Sequence, residues 1–205
     1  MIDLTLPRQG TANRSPLLTL LTPLAVSIAA SGLVALCAHA SIPLLFTPVP
    51  LSLAPFAVLL LGLMLGPRLA FASLSLYLLE GVAGLPVFSP QGLGGVLQLL
   101  GPTGGYLLSY PFAAALAGLL YRRSRSFPRG LVAAGAASLL ILVAGATWLK
   151  LLTHMDARLI AGQAIFPFLP GDVLKVCSAA GVARLVSSFP QRQRSENSTL
   201  EDGRL

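Results

Sequence analysis

Asp172 and Lys175 stand together at the start of a long apolar run near the C-terminus. Pro170 suits the first position of a helix, so Asp172 falls in the first turn. A spacing of three puts both side chains on one helical face. Inside a membrane span such charges cost about 2.5–3.5 kcal/mol each on insertion scales and mark a functional site by default. The lysine is oddly placed, because a helix N-terminus carries positive partial charge and disfavours a cation. Lysine and helix dipole together form an anion site. Two readings are open. Lys175 meets a ligand carboxylate while Asp172 accepts from a ligand N–H, or the pair neutralises itself at the membrane interface.

Other polar and aromatic side chains fall in or beside irregular segments. Glu80 ends a predicted helix, where it lines a cavity or sits among headgroups. Gln91 and Gln98 lie in a glycine-rich stretch and suit a polar ligand, or tie down loop backbone. Phe88, Tyr106 and Trp148 stack on a ligand ring or belong to interfacial aromatic belts. A catalytic set is missing. The sequence has no G-x-x-x-x-G-K-[ST], H-E-x-x-H or G-x-S-x-G. Its two histidines, His39 and His154, lie far from any nucleophile or carboxylate cluster. No metal-ligand spacing occurs, so neither a metal nor a cofactor is expected. Cys37 and Cys177 sit in apolar runs and read as small buried hydrophobes.

The elements that position these residues follow from composition. Of 205 residues, 55% are apolar and only 10% charged, against about 25% charged in a typical soluble domain. Mean hydropathy is +0.79. This excludes an ordinary soluble enzyme, a disulfide scaffold and a disordered chain. Continuous apolar runs argue against a barrel, whose strands alternate. The expected class is an all-α polytopic membrane protein. Six spans are predicted, over 17–40, 51–66, 69–82, 105–121, 130–148 and 169–189, between an N-terminal segment 1–16 and an unstructured tail 190–205. A spanning helix needs about 20 residues, so the second and third are short.

With the N-terminus inside, 11 of the 14 basic residues fall on the inner side: Arg8, Arg14, Arg68, Arg122, Arg123, Arg125, Arg129, Arg184, Arg192, Arg194 and Arg204. Lys150, Arg158 and Lys175 fall outside. This asymmetry predicts both termini in the cytoplasm. Basic clusters between apolar runs do not make a nucleic-acid surface. Arg8 and Arg14, the apolar run and Ala38-His39-Ala40 imitate a cleavable signal, but the run is too long for one. Three apolar but Pro- and Gly-broken segments fall on the predicted outer side. They are 42–50, 81–105 with eight glycines and three prolines, and 166–172. Backbone of this kind cannot face lipid, so the three are expected to converge and line an outward pocket. In the first helix Ala25 and Ala29, with Gly32 one turn on, form a small-residue stripe for close helix approach. Spacing favours a neighbouring helix of the same chain over a partner subunit.

Four ordered stretches carry a family resemblance. They are Ile42-Pro-Leu-Leu-Phe-Thr-Pro-Val-Pro50, Leu65-Gly-Pro-Arg68, Gly84-Leu-Pro-Val-Phe88 with Gly101-Pro-Thr-Gly-Gly-Tyr106, and Pro167-Phe-Leu-Pro-Gly-Asp-Val-Leu-Lys175. The set resembles the biotin-specific S components of energy-coupling factor (ECF) transporters, the BioY family. The resemblance implies six transmembrane helices in a bacterial plasma membrane, with a biotin pocket near the outer surface. It implies that Asp172 and Lys175 contact the vitamin, and that Ala25 and Ala29 pack on a transmembrane coupling (T) subunit. Two cytoplasmic ATPases would supply energy, so the chain itself would be no enzyme. The family pocket also uses an amide and an arginine from the glycine-rich region. Here no arginine stands in that region, and the resemblance leaves Gln91 or Gln98 as the stand-in for the amide. An S component for thiamine or riboflavin is the nearest alternative, and an integral-membrane lipid enzyme the more distant one.

Overall fold

The computed structural model describes the backbone of residues 16–202 and, within it, side chains of residues 21–187. The element order is α1 (Pro16–His39), β1 (Ser41–Ile42), β2 (Leu51–Ser52), α2 (Ala54–Leu65), α3 (Pro67–Val82), α4 (Gly95–Leu100), α5 (Gly104–Tyr121), α6 (Phe127–Thr153), α7 (Ala157–Ala164) and α8 (Leu169–Asp202). Each predicted span corresponds to a helix: α1, α2, α3, α5, α6 and α8.

Many of the helix contacts are made by small residues. Ala57, Ala113, Ala114, Ala117, Ala133, Ala134 and Ala137 have no exposed surface. Leu36, Val132, Leu139, Val173 and Leu174 face outward. A water-soluble bundle buries its large apolar groups and turns polar ones outward. The reverse arrangement suits hydrocarbon, where small residues let helices approach and draw on van der Waals packing. α5 and α6 form the most extensive helix pairing. Its closeness depends on glycine: a Cβ on Gly105 would lie 2.2 Å from the Trp148 Cβ, and one on Gly145 2.2 Å from the Tyr106 ring.

By length and composition, α1 over Leu21–His39 and α6 can each cross a membrane. α7 and α8, bent by 50° at their break, form a third such unit. α2 and α3 are shorter, with 12 and 16 residues. They are separated by Gly66 alone, at φ +76°, with Pro67 opening α3. Ser73 Oγ to Ser27 Oγ (3.2 Å) and Ser31 Oγ to the Glu80 carboxylate tie α1 to α3.

Four boundaries differ from expectation. α2 starts at Ala54 rather than 51, because Leu51 and Ser52 pair antiparallel with Ile42 and Ser41. α6 is longer than predicted and stops at His154, which caps it in the left-handed region at φ 54°. The glycine-rich stretch holds one short helix, α4. α8 carries its helical backbone through Asp202, over a tail that composition marks as unstructured. The segment 1–15, with Arg8 and Arg14, lies outside the described residues, as do the side chains of Arg192, Arg194 and Arg204.

Candidate functional site

The α7–α8 break turns the chain so that α8 starts inside the bundle. Its first turn is closed by the Asp172 N–H donating to Phe168 O at 2.8 Å. Lys175 follows one turn on, and its Nζ lies 3.3 Å from Asp172 Oδ1. Each residue is only 8% exposed. Ser138, from α6, donates its hydroxyl to Asp172 Oδ2 at 2.9 Å. The carboxylate thus holds two partners, each on a different oxygen, while two of the three ammonium protons have no acceptor among the described residues.

These groups border a hollow with about 60 Å³ of free space. Its polar lining is Asp172, Lys175, Gln98, Thr103, Ser89 and Ser52. Tyr77, Tyr106, Tyr110 and Phe168 supply the aromatic walls. All three broken segments reach it: Val49 and Pro50 from the first, Ser89, Gln98 and Thr103 from the second, Phe168 and Asp172 from the third. The short β1–β2 pairing anchors the first, helped by Leu53 N–H to Ala40 O at 3.1 Å.

Gln98 sits on α4 and is 4% exposed. Its Oε1 accepts from the Gly94 N–H at 3.2 Å, and its Nε2 donates to Ser89 O at 3.3 Å. An amide has four hydrogen-bonding positions, so capacity remains for a ligand. Gly92 is required beside it, since a Cβ there would lie 2.4 Å from the Gln98 amide carbon. Tyr106 is fixed at its far end by donating to Ala164 O at 2.9 Å, and its ring packs 6.4 Å from that of Phe168.

The other expected residues lie elsewhere. Phe88 does not border the hollow; its ring meets Tyr77 edge-on at 5.4 Å and fills the space over Gly81. Trp148 donates its indole N–H to Gly101 O at 2.9 Å and packs against Gly105, so it clamps the α4–α5 joint. Glu80 does not border the hollow; it accepts from Ser31 on α1, which packs against α3. Gln91 binds Ser41 and Ser89 near the surface, outside the hollow. Ala25 and Ala29 face outward with Gly32, which removes the same-chain packing that spacing favoured. Sequence reading missed Ser138, Tyr77 and Tyr110. Tyr110 was accessible from its spacing, being four residues after Tyr106 and so on the same helical face.

A lipid-facing helical bundle with a small enclosed site near one end defines a class: a membrane protein that binds a compact solute. Its fold is similar to the 2.1 Å crystal structure of the S-component for biotin from an ECF-type ABC transporter. The TM-score is 0.76 at 24% identity, over 83% of this chain and 93% of that one. The BioY family model matches residues 11–192. The chain belongs to the BioY family. Relatives include the biotin transporter BioY of Thermotoga maritima, 38% identical over 75% of this chain and 88% of that protein. Another is the biotin transporter BioY of Rhodobacter capsulatus, 34% identical over 80% and 92%. The probable biotin transporter BioY of Pyrococcus horikoshii is 38% identical over 66% and 79%.

Proposed function

We propose that this protein is the biotin-binding S component of an ECF-type importer, a transport subunit with no chemistry of its own. The observation that carries the reading is the buried Asp172–Lys175 pair opening onto a hollow that Gln98 also lines. Biotin has a ureido group, an apolar ring sulfur and a chain ending in carboxylate. Lys175, with protons to spare at a helix start, suits the carboxylate. Asp172 and Gln98 suit ureido N–H and C=O, and the tyrosine and aliphatic walls suit the rings. The names of the curated relatives point to the same solute.

The six spans are then α1, α2, α3, α5, α6 and α8, with both termini cytoplasmic and the hollow toward the outside. α2 has 12 residues, a rise of about 18 Å. The 42–53 segment completes that crossing, with Thr47 and Val49 turned inward and Ile42, Leu45 and Phe46 exposed. The outward stripe of Ala25 and Ala29 is the contact for the T subunit, which links the chain to cytoplasmic ATPases.

Radiolabelled biotin binding to detergent-purified protein tests the reading. Saturable binding lost in Asp172→Asn and Lys175→Ala supports it. Tight binding of thiamine or riboflavin in place of biotin selects the alternative S component. Turnover of lipid with no vitamin bound would refute both.

A further inference from the structure

The three tyrosines around the hollow differ in what their hydroxyls do. Tyr77, from α3, donates to Val87 O at 3.2 Å. Tyr106, from α5, donates to Ala164 O at 2.9 Å. Tyr110, one turn further along α5, has no hydrogen-bond partner for its hydroxyl among the described residues. We propose that this hydroxyl donates to the ureido carbonyl oxygen of biotin, and that Tyr110 thereby sets the preference for a urea oxygen at that point of the ligand. The inference rests on the biotin reading above.

A buried phenol O–H normally finds a partner. Among the described residues, the side-chain polar atom that is both partnerless and sealed from all accessible space is the Tyr121 hydroxyl. The Tyr110 hydroxyl is not sealed in that way. Tyr110 is 4% exposed, and the space it borders is the hollow of Asp172 and Lys175. Its hydroxyl is therefore a polar group held inside the protein and open to the ligand. Nor is the hydroxyl needed to place the ring. Tyr110 shares a face of α5 with Tyr106, four residues earlier. Its ring stacks on that of Tyr77, at 6.4 Å between centroids and 23° between planes.

The acceptor follows from what else the hollow supplies. Biotin offers a carboxylate, a ring sulfur and a ureido oxygen. The carboxylate is matched by the charge of Lys175, and a thioether sulfur is a weak acceptor. The ureido oxygen is neutral and has two lone pairs. Gln98 spends one of its two Nε2 protons on Ser89 O, at 3.3 Å, so it can fill only one of them. A neutral phenol O–H on the facing wall supplies the second.

The test uses the full chain in detergent, with biotin and thiobiotin, which carries sulfur in place of the ureido oxygen. Tyr110→Phe keeps the ring and removes only the hydroxyl. Biotin affinity in equilibrium binding should fall about three- to tenfold, the equivalent of one hydrogen bond. Thiobiotin affinity should fall less than about twofold, because its sulfur accepts poorly and little is lost with the donor. The preference for biotin over thiobiotin therefore narrows, which a change in packing alone would not produce. The ligand-free Tm should not drop, since no bond within the protein is removed. Tyr121→Phe is the matched control, a partnerless phenol outside the hollow, and should leave both affinities unchanged. Equal biotin affinity in the unaltered chain and Tyr110→Phe overturns the inference. So does an equal loss for the two ligands, or a loss in Tyr121→Phe as large as that in Tyr110→Phe. Failure of the unaltered chain to bind biotin at all overturns the biotin reading itself, and this inference with it.

Discussion

Removing one member of the Asp172–Lys175 pair should harm the ligand-free protein, whereas removing both should not. At 3.3 Å the two charges attract by about 5 kcal/mol with an effective dielectric constant near 20. Desolvation of both groups offsets most of that gain. Lys175→Met leaves Asp172 buried with only the Ser138 hydroxyl at 2.9 Å. The expected loss is about 3–5 kcal/mol, the cost of breaking a buried pair from one side. For a chain of this length that is a drop in Tm of roughly 6–20 °C. The double variant Asp172→Asn/Lys175→Met leaves no unpaired charge, and its stability should return to within about 1 kcal/mol of the starting protein. Biotin binding should be absent in both. Thermal unfolding in detergent without ligand, followed by binding of labelled biotin, separates the two effects. An unchanged Tm in the single variant would refute the buried-pair reasoning. Recovery of biotin binding in the double variant would refute the role given to the charges.

Gly145→Ala should push the Tyr106 ring, which a Cβ there would meet at 2.2 Å; at a cost of about 1–3 kcal/mol from overpacking, biotin affinity should fall about tenfold or more in equilibrium binding. Trp148→Phe removes the bond to Gly101 O, and about 1 kcal/mol of stability should be lost in thermal unfolding, with faster proteolysis near 92–103. Ala29→Leu alters an outward position. Stability should stay within about 0.5 kcal/mol and biotin binding should be unchanged, while co-purification with a T subunit should be lost.

Apolar runs and their Pro–Gly breaks made most of the architecture legible, because in a membrane chain an apolar run has few alternatives to a helix. The same-face placement of Asp172 and Lys175 needed only the helical repeat. That the three broken segments share one hollow also followed from backbone that cannot face lipid. What failed was direction. Phe88 and Trp148 each stand at the edge of an irregular segment, where a side chain can point into the hollow or back onto its own loop. The choice was made by Gly81 and Gly105, whose bare backbones leave room for those rings. Glu80 turned to Ser31 because of where α1 lies against α3, a relation no local pattern carries. Ser138 looked like any serine in an apolar helix, and its role depends on the register between α6 and α8. Ala25 and Ala29 announced close packing, but spacing holds nothing about whether the packing partner is in the same chain.

The lone glycine between α2 and α3 has a mechanical consequence. With Pro67 fixed in φ and Gly118 wedged beneath the joint, there is no slack to let one helix tilt without dragging the other. Ala54 and Pro55 form one wall of the upper chamber and Tyr77 another, and each belongs to a different arm of this lever. Those two walls are therefore held in a fixed relation by a joint one residue long, beside Arg68.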